Sequence, residues 1–145
     1  MATPTITSVN AVYMLTIPGL YNSAQEIQQF SMDDLFSTDS IDTAELQMGS
    51  DGTLVGGFVF NPIKQSLTLL ASSPSNDLFD NWYMAQRAAR ELYVATATVS
   101  LPAVGRIYTL TSGYLTGYAP MAAVKKVLQP RQYSITWGRI VPGVV

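Results

Sequence analysis

The chain of 145 residues contains no cysteine and no histidine. The lack of cysteine excludes a disulfide framework, a thiolate metal site and a cysteine nucleophile. The lack of histidine removes the commonest general base and the commonest metal ligand of proteins. Catalytic triads built on histidine are therefore excluded, and the sequence predicts a protein that is not an enzyme and that uses no cofactor and no metal.

Long hydrophobic runs and amino-terminal positive charge are also missing. No stretch approaches the roughly 20 apolar residues that a membrane-spanning helix needs. The first ten residues, MATPTITSVN, lack the basic start and apolar run of a secretory signal. We therefore expect a protein without a membrane anchor that is made in a cytoplasm.

Positive charge is absent from the first 63 residues, which hold seven acidic side chains. The remaining residues hold eight basic and three acidic side chains. One interpretation is a soluble domain with two oppositely charged faces. The other is a subunit whose acidic part meets the basic part of a neighbour. Only 12% of the residues are charged, which favours the second interpretation because a lone small domain usually exposes more charge.

Motifs for phosphate, calcium and nucleic acid are weak in this sequence. The glycines at 52–57 lack the lysine and the helix of a phosphate-binding loop. The acidic residues of 33–43 do not follow the spacing of an EF-hand loop. Basic and aromatic residues interleave at 125–139, as in a platform that stacks single-stranded bases. Aromatic residues at alternating positions are more often part of a core, and we favour that interpretation.

Alternating hydrophobic residues predict a mainly β protein. The alternation over 7–17 indicates a half-buried strand, and 44–60 reads as a hairpin whose turn contains Asp51-Gly52. Further strands are expected at 63–71, 94–101, 106–118, 121–128 and from 131 onward, the last with Tyr133, Ile135, Trp137 and Arg139 on one face. The prediction is a single domain over 1–145, a β-sandwich or small barrel of about seven or eight strands.

One long helix is predicted over residues 73–93. Ser73 is placed to cap it, and Pro74 fits the first helical position. The apolar residues recur at helical spacing and should pack on the sheet: Leu78, Trp82, Ala85, Ala89 and Leu92. Further apolar residues widen the helix surface beyond this stripe and are candidates for contact with a neighbouring subunit: Phe79, Tyr83, Met84 and Ala88.

Residues 33–43, DDLFSTDSIDT, show no sustained period and are expected to form an exposed loop. A loop of this length is usually functional or ordered by a partner. Its candidate interface residues are Asp33, Asp34, Leu35, Phe36 and Ile41. The candidate basic residues for a contact with an acidic surface are Lys125, Lys126 and Arg131. Residues 23–32 are compatible with either a short helix or a strand.

The order of these features resembles the tail tube proteins of tailed bacteriophages, over roughly residues 8–140. The resemblance is carried by Met48-Gly49 with Asp51-Gly52 in the hairpin, by the aliphatic strand Leu67 to Leu70 and by Ser73-Pro74-Ser75. Gly113, the downstream lysines and Trp137 complete it. The resemblance implies one helix packed on a β-sandwich or small barrel, with residues 23–32 as a strand.

The resemblance also implies hexameric rings, whose inner strands form one continuous barrel and which stack into a tube that conducts DNA. Loop 33–43 would then contact the next ring, and hairpin 44–60 would belong to the inner wall. An acidic lumen would repel phosphate, so that DNA slides through without specific binding. We expect the lumen-facing side chains to be Glu26, Gln28, Glu45 and Gln47.

The predicted function is therefore that of a structural protein of the virion tail, assembled in the host bacterial cytoplasm. Its expected partners are other copies of itself, the sheath, the baseplate and the tape measure. Two alternatives stay open: a tube or baseplate subunit of a related contractile injection or secretion machine, and, in a different class, a monomeric β-barrel that binds a small ligand.

Overall fold

The computed structural model describes residues 11–28, 30 and 35–144, and these form nine strands and one helix. In chain order the elements are β1 (Val12–Ile17), β2 (Tyr21–Glu26), β3 (Phe36–Thr38), β4 (Ala44–Met48), β5 (Leu54–Phe58), β6 (Ile63–Leu69), α1 (Asn76–Ala89), β7 (Ala95–Leu101), β8 (Arg106–Gly117) and β9 (Arg131–Val144). The predicted fold class, mainly β with a single helix, is confirmed.

Seven strands form one antiparallel sheet in the order β2-β1-β7-β8-β9-β6-β3, and β4 and β5 form a separate hairpin. In a flat sheet, the three strands between β1 and β6 would hold those two about 19 Å apart. The Tyr13 hydroxyl on β1 nevertheless donates a hydrogen bond to Gln65 Oε1 on β6 at 2.6 Å. The sheet is therefore strongly curled, and its inward side chains meet in one core.

The alternation of the strands decides what the core contains. Residues on the inward face of β1, β6, β7 and β9 are buried at every second position, while their neighbours face outward. The large side chains without exposed surface are Tyr13, Leu15, Ile17, Leu67, Leu69, Phe79, Trp82, Tyr133, Ile135 and Trp137. Burial raises the pKa of the Tyr13 hydroxyl, so this group stays a neutral donor to Gln65.

Helix α1 is shorter than predicted and begins differently. Ser75, not Ser73, is the N-cap residue, and its side chain makes no capping hydrogen bond. Its hydroxyl instead accepts a hydrogen bond from the Gln28 backbone N–H at 2.8 Å, while the Ser73 hydroxyl donates to the Gln28 carbonyl. The Ser-Pro-Ser segment thus fastens the end of β2 to the start of α1. The assignment of Ser73 as cap and Pro74 as first helical residue is wrong.

The carboxyl end of α1 also falls earlier than predicted. Arg90 adopts a left-handed conformation with φ 56° and terminates the helix. Leu92 therefore lies beyond the helix and is exposed, as is Ala89, so neither packs on the sheet. The buried part of the predicted stripe consists of Leu78 and Trp82, with Ala85 half-buried.

Three strand predictions need correction. Residues 36–38 form strand β3, paired with β6, within the segment that was expected to be a continuous loop. Residues 121–128 form no strand and contribute only an isolated bridge between Val124 and Leu128. The expectation of a strand within 23–32 is correct at its start, because β2 ends at Glu26.

Arg139 does not share the face of Tyr133, Ile135 and Trp137, although the sequence predicts that it does. The Arg139 side chain is exposed, whereas the other three are buried as predicted. The partner strand has a left-handed residue, Ser112, between its two inward-facing segments. Such an irregularity shifts the alternation by one residue. Ile140, rather than Arg139, therefore returns to the inner side opposite Leu110.

Candidate assembly surfaces

The described residues contain no group of three or more acidic side chains that could hold a metal ion. No helix among them is long and apolar enough to cross a membrane. The described ionisable side chains with the most altered surroundings are part of the packing of the subunit. Exposed apolar side chains cluster on the hairpin β4–β5 and in the segment 121–128, and an open groove borders the core. The candidate site of this protein is therefore a set of assembly surfaces.

An ion pair joins α1 to β9 near one end of the curled sheet. Arg131 donates to Asp80 Oδ1 at 2.7 Å and to the Ala119 carbonyl at 2.7 Å, and Tyr118 also donates to Asp80. Burial raises the pKa of Asp80, but the hydrogen bonds from Arg131 and Tyr118 outweigh it and hold that pKa below its usual value. Among the described residues this is the only ion pair.

The role predicted for Arg131 is corrected by this arrangement. Its side chain is 9% exposed and is already neutralised by Asp80. The guanidinium also lies over the rings of Tyr118 and Tyr133, at 5.8 and 5.3 Å from their centres. Arg131 therefore holds the subunit together and is not available to pair with an acidic surface of a neighbour.

The helix offers less surface to a neighbour than predicted. Phe79 has no exposed surface and stacks on Tyr133 with ring centres 4.2 Å apart, so its assignment to an interface is wrong. Tyr83 is half-buried and stacks on Tyr118 at 4.4 Å. Met84 is 55% exposed and Ala88 is exposed, so these two remain candidates.

The hairpin β4–β5 exposes a row of large apolar side chains. Every residue of both strands is exposed. The register places the apolar side chains on one side and Glu45, Gln47 and Val55 on the other. Phe60 continues the apolar side, and its ring lies 4.8 Å from that of Phe58. The hairpin apolar face consists of Ala44, Leu46, Met48, Leu54, Phe58 and Phe60.

Glycine at position 56 keeps this face flat. A Cβ atom there would lie 2.5 Å from Leu46 Cδ2, so any larger residue would push the leucine aside. The strand pairing at this position runs without a bulge. A two-stranded hairpin is marginally stable on its own in water, and this one exposes side chains that are normally buried.

A second surface lies at the end of the sheet away from α1. An open cavity of about 320 Å³ is bordered there by inward-facing strand residues. Gln65 forms its polar floor: its Oε1 accepts from Tyr13 and from Trp137 Nε1, and its Nε2 donates to Thr38. The apolar groove consists of Phe36, Val99, Leu101, Tyr108, Leu110 and Ile140.

The third surface is the segment between β8 and β9. Met121, Val124, Val127 and Leu128 are all more than half exposed. Lys125 and Lys126 lie among them and are exposed as well. Both lysines therefore remain candidates for a contact with an acidic surface.

The predicted interface loop at 33–43 is partly built into the subunit. Phe36 packs its ring against Tyr13 and Phe30, at 5.4 Å from each, and lines the apolar groove. Leu35 is half-buried, whereas Ile41 is 40% exposed. Asp33 and Asp34 lie outside the described residues.

The four predicted lumen-facing residues are exposed but do not lie together. Glu26 ends β2 at one edge of the sheet, and Gln28 follows it beside α1. Glu45 and Gln47 lie on the hairpin, which follows β3 at the opposite edge. Glu26 and Gln28 line one depression beside α1, and Glu45 and Gln47 line another on the hairpin.

The outer face of the sheet is rich in hydroxyl groups. Glu26 is the only carboxylate along the strands of this sheet. The register places serine and threonine next to one another on adjacent strands, including Thr16, Thr96, Thr98, Thr109, Ser66, Ser134 and Thr136. This face is therefore polar and poor in carboxylates, with Lys64 and Arg139 among its exposed basic residues. The acidity expected from the sequence is concentrated in the hairpin and the segments beside it.

Local sequence patterns indicate the hairpin but not the apolar groove. The groove is lined from five separate strands, so no local pattern in the chain reveals it. One signal in the sequence does point to the groove. Inward-facing apolar residues continue to the end of β7 and occur again from the start of β8, and helix α1 is too short to cover this part of the sheet as well.

Comparison with known proteins supports a tail-related fold. The chain resembles a subunit of the cap that terminates the tube of the anti-feeding prophage, with a TM-score of 0.63 at 10% identity, over 100% of this chain and 95% of that one. It resembles a subunit of the six-fold symmetrised baseplate of the same particle, with a TM-score of 0.56 at 12% identity, over 100% and 99%.

A third solved structure is the sheath–tube complex of the PVC extracellular contractile injection system in its extended state. One chain of it matches with a TM-score of 0.56 at 13% identity, over 92% of this chain and 88% of that one. At such identities the likeness shows a shared fold. No curated protein matches the chain by sequence.

The family is established by sequence. The profile of tail fiber protein gp32 matches residues 4–141, nearly the whole chain. The predicted resemblance to phage tail proteins with a tube-like fold is thereby confirmed. The chain belongs to the tail fiber protein gp32 family.

Proposed function

We propose that this protein is a subunit of a phage tail tube that closes into hexameric rings, which stack into a hollow tube for the passage of DNA. It acts as a structural protein, without catalysis, in the tail of a virion assembled in the bacterial cytoplasm. Its partners are further copies of itself, together with sheath, baseplate and tape-measure proteins.

The observation that carries this proposal is the uncovered apolar face of the hairpin. Leu46, Met48, Leu54, Phe58 and Phe60 are each more than half exposed. A chain that worked as a monomer would gain by replacing them with polar residues, because large exposed apolar patches promote association. The solved structures of similar fold support the same conclusion, because they come from a tube-terminating cap, a six-fold symmetrised baseplate and a sheath–tube complex.

The sheet supplies a further reason for ring formation. Its edges, β2 and β3, have no second strand partner within the described residues. Unpaired edges readily pair with other chains. Ring closure would bring the β2 edge of one subunit towards the β3 edge of the next, and would place Glu26 and Gln28 near Glu45 and Gln47 of the neighbour around a common lumen.

Electron microscopy of the purified protein tests the proposal. We expect rings with six-fold symmetry, or hollow tubes, with Glu26, Gln28, Glu45 and Gln47 on the inner wall of a reconstruction. A species that stays at the 15.7 kDa of one chain at all concentrations would refute it and favour a monomeric ligand-binding barrel. Solid filaments without a lumen would favour a fiber, the component that the family description names.

A terminating cap is the second candidate function, because the structure of the prophage cap gives a higher TM-score than those of the baseplate and of the sheath–tube complex. A cap subunit would form single rings that do not stack on one another. Adding the protein to growing tubes would separate the two roles, since a cap would stop elongation and a tube subunit would be incorporated.

A further inference from the structure

We propose that the hairpin apolar face of one subunit inserts into the apolar groove of a second copy. This inference rests on the proposed function, because it names one contact of the assembly. It also makes a separate claim: the hairpin pairs with the groove, rather than with another hairpin or with the exposed segment at 121–128.

The hairpin has the form of an inserting element. It extends from the body between β3 and β6, and none of its strand residues is buried. All its large apolar side chains except Val55 lie on the same side. Phe58 and Phe60, at 70% and 92% exposure, form a joined aromatic pair at its base.

The groove is open and apolar, as a binding site for apolar side chains must be. Its walls come from the inward faces of the strands, which elsewhere in the sheet are covered by the subunit's own side chains. Helix α1 covers the sheet from the other end, where Phe79 stacks on Tyr133. Insertion of apolar side chains would therefore complete a core that the described part of the chain leaves open.

Charge favours the same pairing. The hairpin carries Glu45 and Asp51, and no basic residue precedes Lys64. Asp51 accepts a hydrogen bond from the Thr53 N–H in the turn, which lowers its pKa and keeps it ionised. At the groove, Arg106 lies directly opposite Leu101 across the β7–β8 pair.

Among the described residues Arg106 has no acidic partner, because the ion pair there joins Asp80 and Arg131. An acidic hairpin would therefore meet a basic side chain at the rim of the groove. The exposed segment at 121–128 also carries two lysines, but it is not among the described residues that line the groove.

Disulfide crosslinking tests the pairing, and the cysteine-free chain provides a clean background. Two single variants, Leu46→Cys on the hairpin apolar face and Leu101→Cys in the groove, are purified, mixed and oxidised. The linked peptides are then identified by mass spectrometry. We expect most of the crosslinked product to join Cys at 46 of one copy to Cys at 101 of the other.

Matched controls define the face and the site. Gln47→Cys places the thiol one residue away, on the polar side of the same strand, and should crosslink to the Leu101→Cys variant at least tenfold less. Ala88→Cys, at the helix end of the body, should also fail to capture the Leu46→Cys variant. Equal crosslinking of positions 46 and 47 would overturn the proposal, and so would predominant linkage of 46 to 46.

Electron microscopy of the same samples separates this inference from the proposed function. Rings or tubes without a 46–101 linkage would overturn the hairpin–groove contact and leave the tube intact. A 46–101 linkage in particles that are neither rings nor tubes would support the contact and refute the tube.

The charge contribution is tested by adding Arg106→Glu to the Leu101→Cys variant, which should lower the yield of the 46–101 crosslink. Adding Glu45→Arg to the Leu46→Cys variant should then restore the yield. An unchanged yield with Arg106→Glu alone would exclude the charge contribution.

Discussion

At one end of the curled sheet, α1 places Phe79 and Trp82 in full burial, and Arg131 binds the helix to β9 through Asp80. At the other end, the groove stays open, and the hairpin beside it exposes Met48, Phe58 and Phe60. Both regions are rich in aromatic and aliphatic residues. They differ in where the covering surface comes from: the same chain in the first case, and by our proposal a second copy in the other.

This difference shows that apolar content alone does not tell a core from an interface. The helix end satisfies its polar groups internally: Trp82 donates to the Tyr93 carbonyl at 3.1 Å, and Tyr133 donates to Asn76 at 2.8 Å. The hydrogen bonds of the hairpin instead join its own two arms, such as that from Asn61 to the Asp42 carbonyl at its base. The helix end should therefore decide subunit stability, and the hairpin end should decide assembly.

Replacing Phe79 by alanine should have the largest effect on the isolated subunit. The side chain has no exposed surface and stacks on Tyr133, so truncation leaves a cavity and should lower the free energy of unfolding by about 3–5 kcal/mol. Urea denaturation of the monomeric subunit measures this. Met84→Ala, on the exposed side of the same helix, serves as the control, and equal losses for both would contradict the division between the two ends.

Replacing Gly113 by alanine should come next in size. A Cβ atom there would lie 2.3 Å from Cζ3 of Trp137, in the middle of the core. The tryptophan would have to move, at a cost of about 1–3 kcal/mol in unfolding free energy. Thermal unfolding followed by tryptophan fluorescence reports both the stability and the displacement. The matched control is Gly57→Ala on the hairpin, where an added Cβ meets nothing within 4 Å.

Replacing Asp80 by asparagine tests the ion pair through its pH dependence. The pKa of Asp80 is lower in the folded subunit than in the unfolded chain, where it is about 3.9. The pair therefore stabilises the fold fully above that value, and this contribution is lost as the pH falls through the folded pKa. Because the Asp80 side chain is 38% exposed, we expect a loss of only about 0.5–1 kcal/mol near neutral pH.

The difference between Asp80→Asn and the unaltered protein should shrink towards acid pH. Denaturation at a series of pH values between neutral and strongly acidic would show it. Asp77→Asn removes an exposed carboxylate from the same helix and controls for the change in helix charge. A difference for Asp80→Asn that stayed constant over the whole series would show that the carboxylate charge plays no part.

Much of the fold could be predicted from local patterns, and the failures have identifiable causes. The hairpin, the single helix and the inward faces of β1 and β9 follow from alternation and turn residues. Strand β3 was missed because it has three residues and exists only through pairing with β6. Residues 121–128 alternate like a strand but lack a partner strand among the described residues, so their alternation has no structural consequence.

The errors in the candidate site have a different cause. Phe79 lies beside the predicted stripe, and only the curvature of the sheet around α1 brings it into full burial. Arg131 looks like a free basic residue in the sequence, because its partner Asp80 is 51 positions away. Long-range geometry decides both, and no local spacing contains it. The hairpin could be predicted as an element because both strands and their turn lie within one short segment. Its exposed apolar side chains were not among the predicted interface residues, because the sequence does not show that no other part of the subunit covers them.

Replacing Phe60 by alanine should have the smallest effect on subunit stability and completes the comparison with Phe79. The substitution is the same, but Phe60 is 92% exposed, so the free energy of unfolding of the monomer should change by no more than about 0.5 kcal/mol. Assembly should weaken because the hairpin apolar face loses its aromatic pair with Phe58. Urea denaturation at low concentration measures the first quantity, and sedimentation velocity over a concentration series measures the second. Val55→Ala, on the polar side of the hairpin, should change neither. If Phe60→Ala destabilised the monomer as much as Phe79→Ala, the hairpin would belong to the subunit core, and the contrast between a self-covered end and an end covered by a neighbour would fail.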